Sequence, residues 1–423
     1  MRSPAAAGLA GKGAELLSQV LLVTAVPAVM GPSDYGVFAL ALAAVMVVSA
    51  TVALGGPAML TRYVPAAQTD QRAGVARALV GRLGRVRAAE VAAITALGAI
   101  LALAAPDTFR PEIVAAVVVA LALDVAGTVA YQAALSMGHT TLWSFRFALQ
   151  NVVLAGAAIA LYDAGGTDAA VWALAISSGA TMCVGAATAV PRLRHAPRGA
   201  PIPDGALRFG AYQAASSLLL QVQQRGGVLA VAALADSSVQ TGYASLALGV
   251  GLAGVYAVRQ AFTVEMPGMV ERARERPELA EEDSRLLAWR MLALAAPIAV
   301  LAAIWGGDLL ALAAGEDFRP AEGALGPALA LLPLAPLSAL TTQVAALRLR
   351  PEARLWTTAA GLVAFAVVAV IWVPDEGAQA GTLAVLAGTT ATLAAGTALL
   401  PRAFRFGQGA VALAAAGLVL VVS

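Results

Sequence analysis

With 423 residues, 60% of them hydrophobic, 12% charged and a mean hydropathy of +0.80, the chain is too apolar for a soluble domain, which carries about 25% charge. Its net charge of +2 is spread over short connections, so no nucleic-acid partner is expected. The single Cys183 excludes an intrachain disulfide, and His139 and His195 are too far apart to suggest a metal site; no metal or cofactor is expected.

The start, MRSPAAAGLAGKGAELLSQVLLV, lacks a small-residue cleavage pattern after a compact apolar region and reads as an uncleaved first helix. From there the pattern predicts an all-α polytopic membrane protein with twelve spans. They are 9–29, 36–60, 88–105, 112–135, 145–162, 169–189, 208–234, 242–264, 289–313, 324–346, 356–373 and 379–400. A further stretch, 409–423, is apolar but short for a crossing; it reads as a partial span, an interfacial helix or the first of a lost pair.

Arginines sort by loop. The even loops hold Arg62, Arg72, Arg77, Arg82, Arg85, Arg87, Arg146, Arg192, Arg194, Arg198, Arg208 and the later clusters at 272–290, 348–354 and 402–405, while the odd loops hold Arg110 and Arg319. The positive-inside rule then places the N-terminus and the even loops in the cytoplasm. Lys12 is the only lysine, which hints at a GC-rich bacterial genome, and the expected location is the bacterial cytoplasmic membrane. Residues 70–90 form a basic amphipathic lead-in suited to an anionic leaflet. Residues 265–290 read as a solvated connector. The Pro- and Gly-rich 195–207 reads as a linker between an N-terminal bundle (1–194) and a C-terminal bundle (208–405), with 406–423 as an extra apolar segment.

The two bundles read as repeats. Phe109–Arg110–Pro111 recurs as Phe318–Arg319–Pro320, Tyr35–Gly36 as Gly242–Tyr243, Gln132 as Gln343 and Trp143 as Trp356, at offsets of about 206–213 residues. Six spans per copy make the repeats parallel, with a binding site expected between them.

The stretch Arg208–Leu234 stands out as the organising helix. Its 27 residues reach about 40 Å, enough to cross a bilayer. Gln213, Ser217, Gln221, Gln224 and Arg225 fall on one stripe at spacings of three and four. An arginine near mid-membrane either lines a pathway or serves structure alone, by snorkelling or pairing with a carboxylate. The matching face of span 1 carries Lys12, Glu15 and Gln19, so a polar cavity lined by spans 1 and 7 is expected. Asp124 in span 4, with apolar neighbours, is a candidate for protonation or for pairing with an arginine. Arg259 and Glu265 lie near the cytoplasmic end of span 8, where snorkelling is cheap. Gly55–Gly56–Pro57, Met266–Pro267–Gly268 and Pro333/Pro336 are either bending points or ordinary Gly and Pro in membrane helices.

VPAVMGPSDYGVFALALAAVMVVSATVALGGPAMLTRYVP resembles the polysaccharide and O-antigen (Wzx-type) flippases of the MATE-like MOP superfamily. Gly31–Pro32, Tyr35–Gly36, Leu54–Gly55 and Arg62–Tyr63 carry the resemblance, with Gln224–Arg225 and Gly242–Tyr243 in the second half. It implies a V-shaped pair of six-helix bundles that move an undecaprenyl-diphosphate-linked oligosaccharide between leaflets. Many relatives carry an acidic residue where this chain has Gln224, which removes support for ion coupling at that position. On this reading Arg225 takes the diphosphate, with Arg259 beside it in the substrate set. Gln213, Ser217, Gln221, Gln223, Gln224 and Gln19 meet the sugar. Glu15, Asp124 and Lys12 serve coupling or charge balance. Proton, sodium or membrane potential all remain open as the driving force. The lipid-linked oligosaccharide and membrane lipids are the expected partners of a monomer working beside polysaccharide polymerase and chain-length machinery. A drug or metabolite antiporter of the same superfamily is the first rival; it favours an acidic, aromatic-lined pocket. A membrane polymerase or ligase is the second, and it needs a large outer loop that the chain lacks. No nucleophile–base pair or phosphate loop is present, so no catalytic residue and no enzyme activity are expected.

Overall fold

The structure is a computed structural model. It describes residues 4–53, 55–65, 67–68, 70–106, 109–235, 237–348, 350–400 and 406–423. Among these residues all regular structure is helical. The order is α1 (Pro4–Val52), α2 (Gly56–Tyr63), α3 (Arg72–Ala104), α4 (Pro111–Ser136), α5 (Thr140–His195), α6 (Ala206–Leu234), α7 (Ser238–Glu275), α8 (Pro277–Ile304) and α9 (Gly306–Ala314). A 3₁₀ turn (Glu316–Ala321) leads into α10 (Glu322–Leu329), α11 (Leu331–Leu347), α12 (Pro351–Leu399) and α13 (Phe406–Val422).

Eight helices among the described residues are long and apolar enough to cross a membrane. Helices bend at non-helical glycines: α1 at Gly31, α5 at Gly165 and Gly166, and α12 at Gly377. Each bend falls between two of the predicted spans, so a sharp turn stands where the sequence reading has a short loop. The polar stripe lowers the hydropathy of α6, which is outside the eight. Prolines at the first helical positions open α4, α8 and α12, where a missing N–H costs nothing. The 17 residues of α13 reach only about 26 Å.

Several expectations are corrected. The predicted connector 265–290 is helical: α7 runs to Glu275 and α8 starts at Pro277. Span 289–313 breaks at Trp305, span 324–346 at Ala330 and span 36–60 after Val52. Arg87 and Arg146, counted with the loop arginines, are buried, each 5% exposed. Arg87 braces the break after α1: its Nη2 donates at 2.9 Å to the carbonyl of Ala53, which also accepts from the Gly56 N–H at 2.8 Å. Gly55 takes a positive φ of 63° there and lies against the carbonyl of Gly210, a fit that leaves no room for a Cβ.

The chain divides into two compact units, 1–30 with 41–218, and 31–40 with 219–423. The boundary lies inside α6. In the first unit Met59 and Leu60 of α2, with Val64 just after it, pack with Val75, Leu79 and Leu83 of α3. In the second, Leu246, Leu248 and Leu252 of α7, Leu292 of α8 and Leu334 of α11 are almost fully buried.

Residues 31–40, bracketed in the chain by the first unit, pack with the second. Ser33 and Ser238 share a hydroxyl hydrogen bond of 2.8 Å. Gly242 abuts the carbonyl of Pro32, and Gly36 abuts the carbonyl of Ser238. The contact is reciprocal: 32 and 238 stand at the same offset as 36 and 242, the offset of the sequence repeat. Tyr35 and Tyr243 both meet Phe318 edge-on, with ring centroids at 6.0 and 6.1 Å. The repeated Phe-Arg-Pro motif has diverged around this feature. Phe318 is wholly buried, whereas Phe109 is 37% exposed. Each arginine keeps an acidic partner: Arg110 with Asp168 at 2.8 Å, Arg319 with Glu316 at 2.8 Å and Asp308 at 3.1 Å.

Candidate functional site: a polar cavity in the second unit

A small polar pocket, open to solvent on one side, lies among α6, α7, α11 and α12. Its apolar wall includes Leu220, Leu252, Leu331 and Val385; its polar groups are Gln223, Gln224, Arg259, Ser338, Thr389 and Thr392. Helical spacing explains the grouping. Gln223 and Gln224 are neighbours on the inward face of α6, while Thr389 and Thr392 sit three apart on α12. The threonine hydroxyls also donate to the carbonyls of Val385 and Gly388, so they sit in apolar helix at small cost.

Arg259 Nη1 donates to Gln224 Oε1 at 3.2 Å and Nη2 to Ser338 Oγ at 3.5 Å. Gln223 gives its amide to Thr389 at 3.4 Å, and its Oε1 lies 3.4 Å from the Thr392 hydroxyl, whose one proton it shares with the Gly388 carbonyl. These bonds are long, and the partners of Arg259 among them are neutral. Arg354, on the first turn of α12, is near enough to Arg259 for the two cations to repel. A cavity with amide and hydroxyl walls and a guanidinium fork suits a group that is anionic at one end and hydroxyl-rich at the other.

Other residues of the expected site lie around or away from this cavity. Arg225 is one position further round α6, with its Cζ 6.0 Å from the ring centroid of Tyr256. Its Nε, the Tyr256 hydroxyl and Gln221 Oε1 are buried with no hydrogen-bond partner among the described residues. Gln213, 7% exposed, and the half-buried Ser217 belong to the first unit, as do Glu15 and Gln19. The side chain of Lys12 lies outside the described residues. Glu265 is exposed.

Asp124, also in the first unit, lies 3.6 Å from Arg146 and accepts from Gln150 at 3.5 Å. Sequence reasoning missed Arg354, Ser338, Thr389 and Thr392 as polar neighbours of the cavity, and it filed Arg146 as a loop residue. Only Thr389–Thr390–Ala391–Thr392 left a signal, a run of hydroxyls inside an otherwise apolar span.

No protein-family model matches the sequence, and no curated protein matches it. Solved structures do. The lipid II flippase MurJ, in an inward closed conformation, superposes with a TM-score of 0.68 at 10% identity, covering 99% of this chain and 91% of that one. The chain has a transporter fold. An inward-facing multidrug resistance MATE family transporter of the MOP superfamily matches at TM-score 0.60 and 16% identity, over 95% of each chain. The eukaryotic MATE transporter AtDTX14 matches at 0.57 and 14%, over 97% of this chain and 100% of that one. Identities this low establish the fold alone. The protein is a multi-pass, all-α membrane protein built like these transporters.

Proposed function

We propose that the protein is a flippase carrying an undecaprenyl-diphosphate-linked oligosaccharide across the membrane by alternating access. The observation that carries this reading is the cavity of the second unit, where Arg259 stands among Gln223, Gln224, Ser338, Thr389 and Thr392. A diphosphate needs a fork of charged donors, and a sugar needs amide and hydroxyl partners; this wall offers both. Arg259 is the diphosphate contact, Arg225 flanks it on α6, and Gln223 and Gln224 meet the first sugar. The resemblance of the α1 segment to Wzx-type flippases and the fold shared with MurJ both support the reading.

The test is translocation of a fluorescent lipid-linked oligosaccharide in vesicles containing the purified protein, read by quenching of the dye from one side. Loss of a charge-assisted hydrogen bond costs about 1.5–3 kcal/mol, so Arg259→Gln should slow translocation roughly 10- to 150-fold. Arg208→Gln, at an exposed position, should be neutral. Wild-type protein that moves organic cations and leaves the lipid in place would refute the proposal in favour of a MATE-like antiporter.

A further inference from the structure

The first unit holds a second constellation that the headgroup reading does not use. The guanidinium of Arg146 is surrounded by three aromatic rings: Phe147 at 5.0 Å, Tyr131 at 5.5 Å and Trp143 at 5.6 Å. Asp124 stands beside it at 3.6 Å. The rings come from two helices, Tyr131 from α4 and the other two from α5, one turn before Arg146 and one residue after it. The arginine side chain is only 6% exposed. Aromatic walls with an acid beside them are how proteins recognise organic cations, because ring faces replace the hydration that such cations hold weakly. In this chain that place is already taken.

We infer that Tyr131, Trp143, Phe147 and Asp124 form an organic-cation box filled from within by Arg146, and that Arg146 is the residue that keeps cationic ligands out of the first unit. The bonding of the guanidinium supports this. It makes one short hydrogen bond, to Thr128 Oγ1 at 2.6 Å. Its Nε has no hydrogen-bond partner among the described residues. The 3.6 Å approach to Asp124 is an ion pair longer than a good hydrogen bond. A guanidinium held only for structure would be expected to have its donors matched to acceptors. Here ring faces, one carboxylate and one hydroxyl hold it, as they would hold a free ligand. The inference is independent of the proposed lipid-linked substrate, because it rests on the surroundings of Arg146 alone.

The experiment removes the tether. Arg146→Ala protein, made by cell-free synthesis into lipid nanodiscs, is unfolded thermally in ethylguanidinium, tetramethylammonium or sodium at matched ionic strength. Wild type and Arg208→Ala serve as controls; Arg208 lies against a single ring, Tyr212, and is exposed. The expected result is a lowered Tm for Arg146→Ala, at least half restored by ethylguanidinium, partly by tetramethylammonium and not by sodium. Both controls should show no preference among the cations. If the alanine variant is recovered in folded form only when synthesised with ethylguanidinium, that is the same rescue. Loss of stability without cation-specific rescue, no loss at all, or failure to fold with the cation present would each overturn the inference.

Discussion

Gly36→Ala probes the reciprocal contact between residues 31–40 and α7. An added Cβ at position 36 overlaps the carbonyl oxygen of Ser238 and comes within 3.0 Å of both the Ser238 carbon and the Gly242 nitrogen. All three are backbone atoms, so no rotamer change relieves the clash. The segments must separate by about 1 Å, which forfeits much of the dispersion contact across them. Overpacking of this kind costs about 1–3 kcal/mol. That cost falls on the state in which Gly36 meets Ser238 and not on one in which they have parted, so the ratio of parted to joined molecules should rise roughly 5- to 150-fold. The reporter is Thr241→Cys on a Cys183→Ser background, since Thr241 is 2% exposed while the contact is made. Maleimide labelling of the introduced thiol in detergent should speed up by that factor in Gly36→Ala. Gly242→Ala, which drives a Cβ onto the Pro32 carbonyl, should act alike, and the two should be non-additive because one separation relieves both clashes. An unchanged labelling rate in both variants would show that the contact is not a closed state at all.

Other outcomes follow from the same geometry. Ser33→Cys with Ser238→Cys, whose hydroxyls lie 2.8 Å apart, should form a disulfide on mild oxidation and stop translocation until reduced; translocation by the crosslinked protein would refute a need for release. Glu281→Gln should lower Tm by removing the carboxylate that accepts from Arg348 at 2.6 and 2.7 Å, with a cost of about 1–3 kcal/mol because the pair is half-buried. Arg87→Met should remove one of the two donors to the Ala53 carbonyl, the Gly56 N–H remaining at 2.8 Å, and cost about 0.5–1.5 kcal/mol by thermal unfolding. Neither of these two should change the rate of maleimide labelling by as much as Gly36→Ala does.

Much of the fold was legible because bilayer physics leaves few choices. Long apolar runs become helices, and Gly31, Gly165–Gly166 and Gly377 mark reversals that composition alone places between spans. The helix break at Ala330 was not legible, since nothing local distinguishes Leu329–Ala330–Leu331 from a continuing helix, whereas the break at Trp305 had a local mark in Gly306–Gly307 that the apolar run outweighed. The connector 265–290 misled for the opposite reason. Its charges read as solvated loop, yet Glu, Arg and Ala are good helix formers when the helix extends into water. At the site, the period of α6 pointed to Gln213, Ser217, Gln221, Gln224 and Arg225, of which Gln224 lines the pocket, while Gln223 beside it lies off that stripe. The cation that faces them, Arg259, comes from another helix, and one-dimensional spacing carries no information about which helix lies opposite.

The contrast between Arg146 and Arg259 turns on what surrounds each charge. Asp124 stands beside Arg146 and three rings cover its faces, so an incoming anion would have to displace a carboxylate and an incoming cation would find its seat taken. Arg259 donates to an amide and a hydroxyl across a cavity and feels a second cation, Arg354. An anion entering there would meet two arginines and gain charge-assisted bonds that a neutral solute cannot make. A cation entering the same cavity would add a third like charge in a medium that screens poorly. On the two proposals made above, the same residue type closes one unit to cations and leaves the other receptive to a phosphate. If Arg259→Glu were to convert the protein into a transporter of organic cations, the charge at this one position would be shown to set the sign of the substrate; if that variant moved neither class, substrate selection would lie elsewhere on α6.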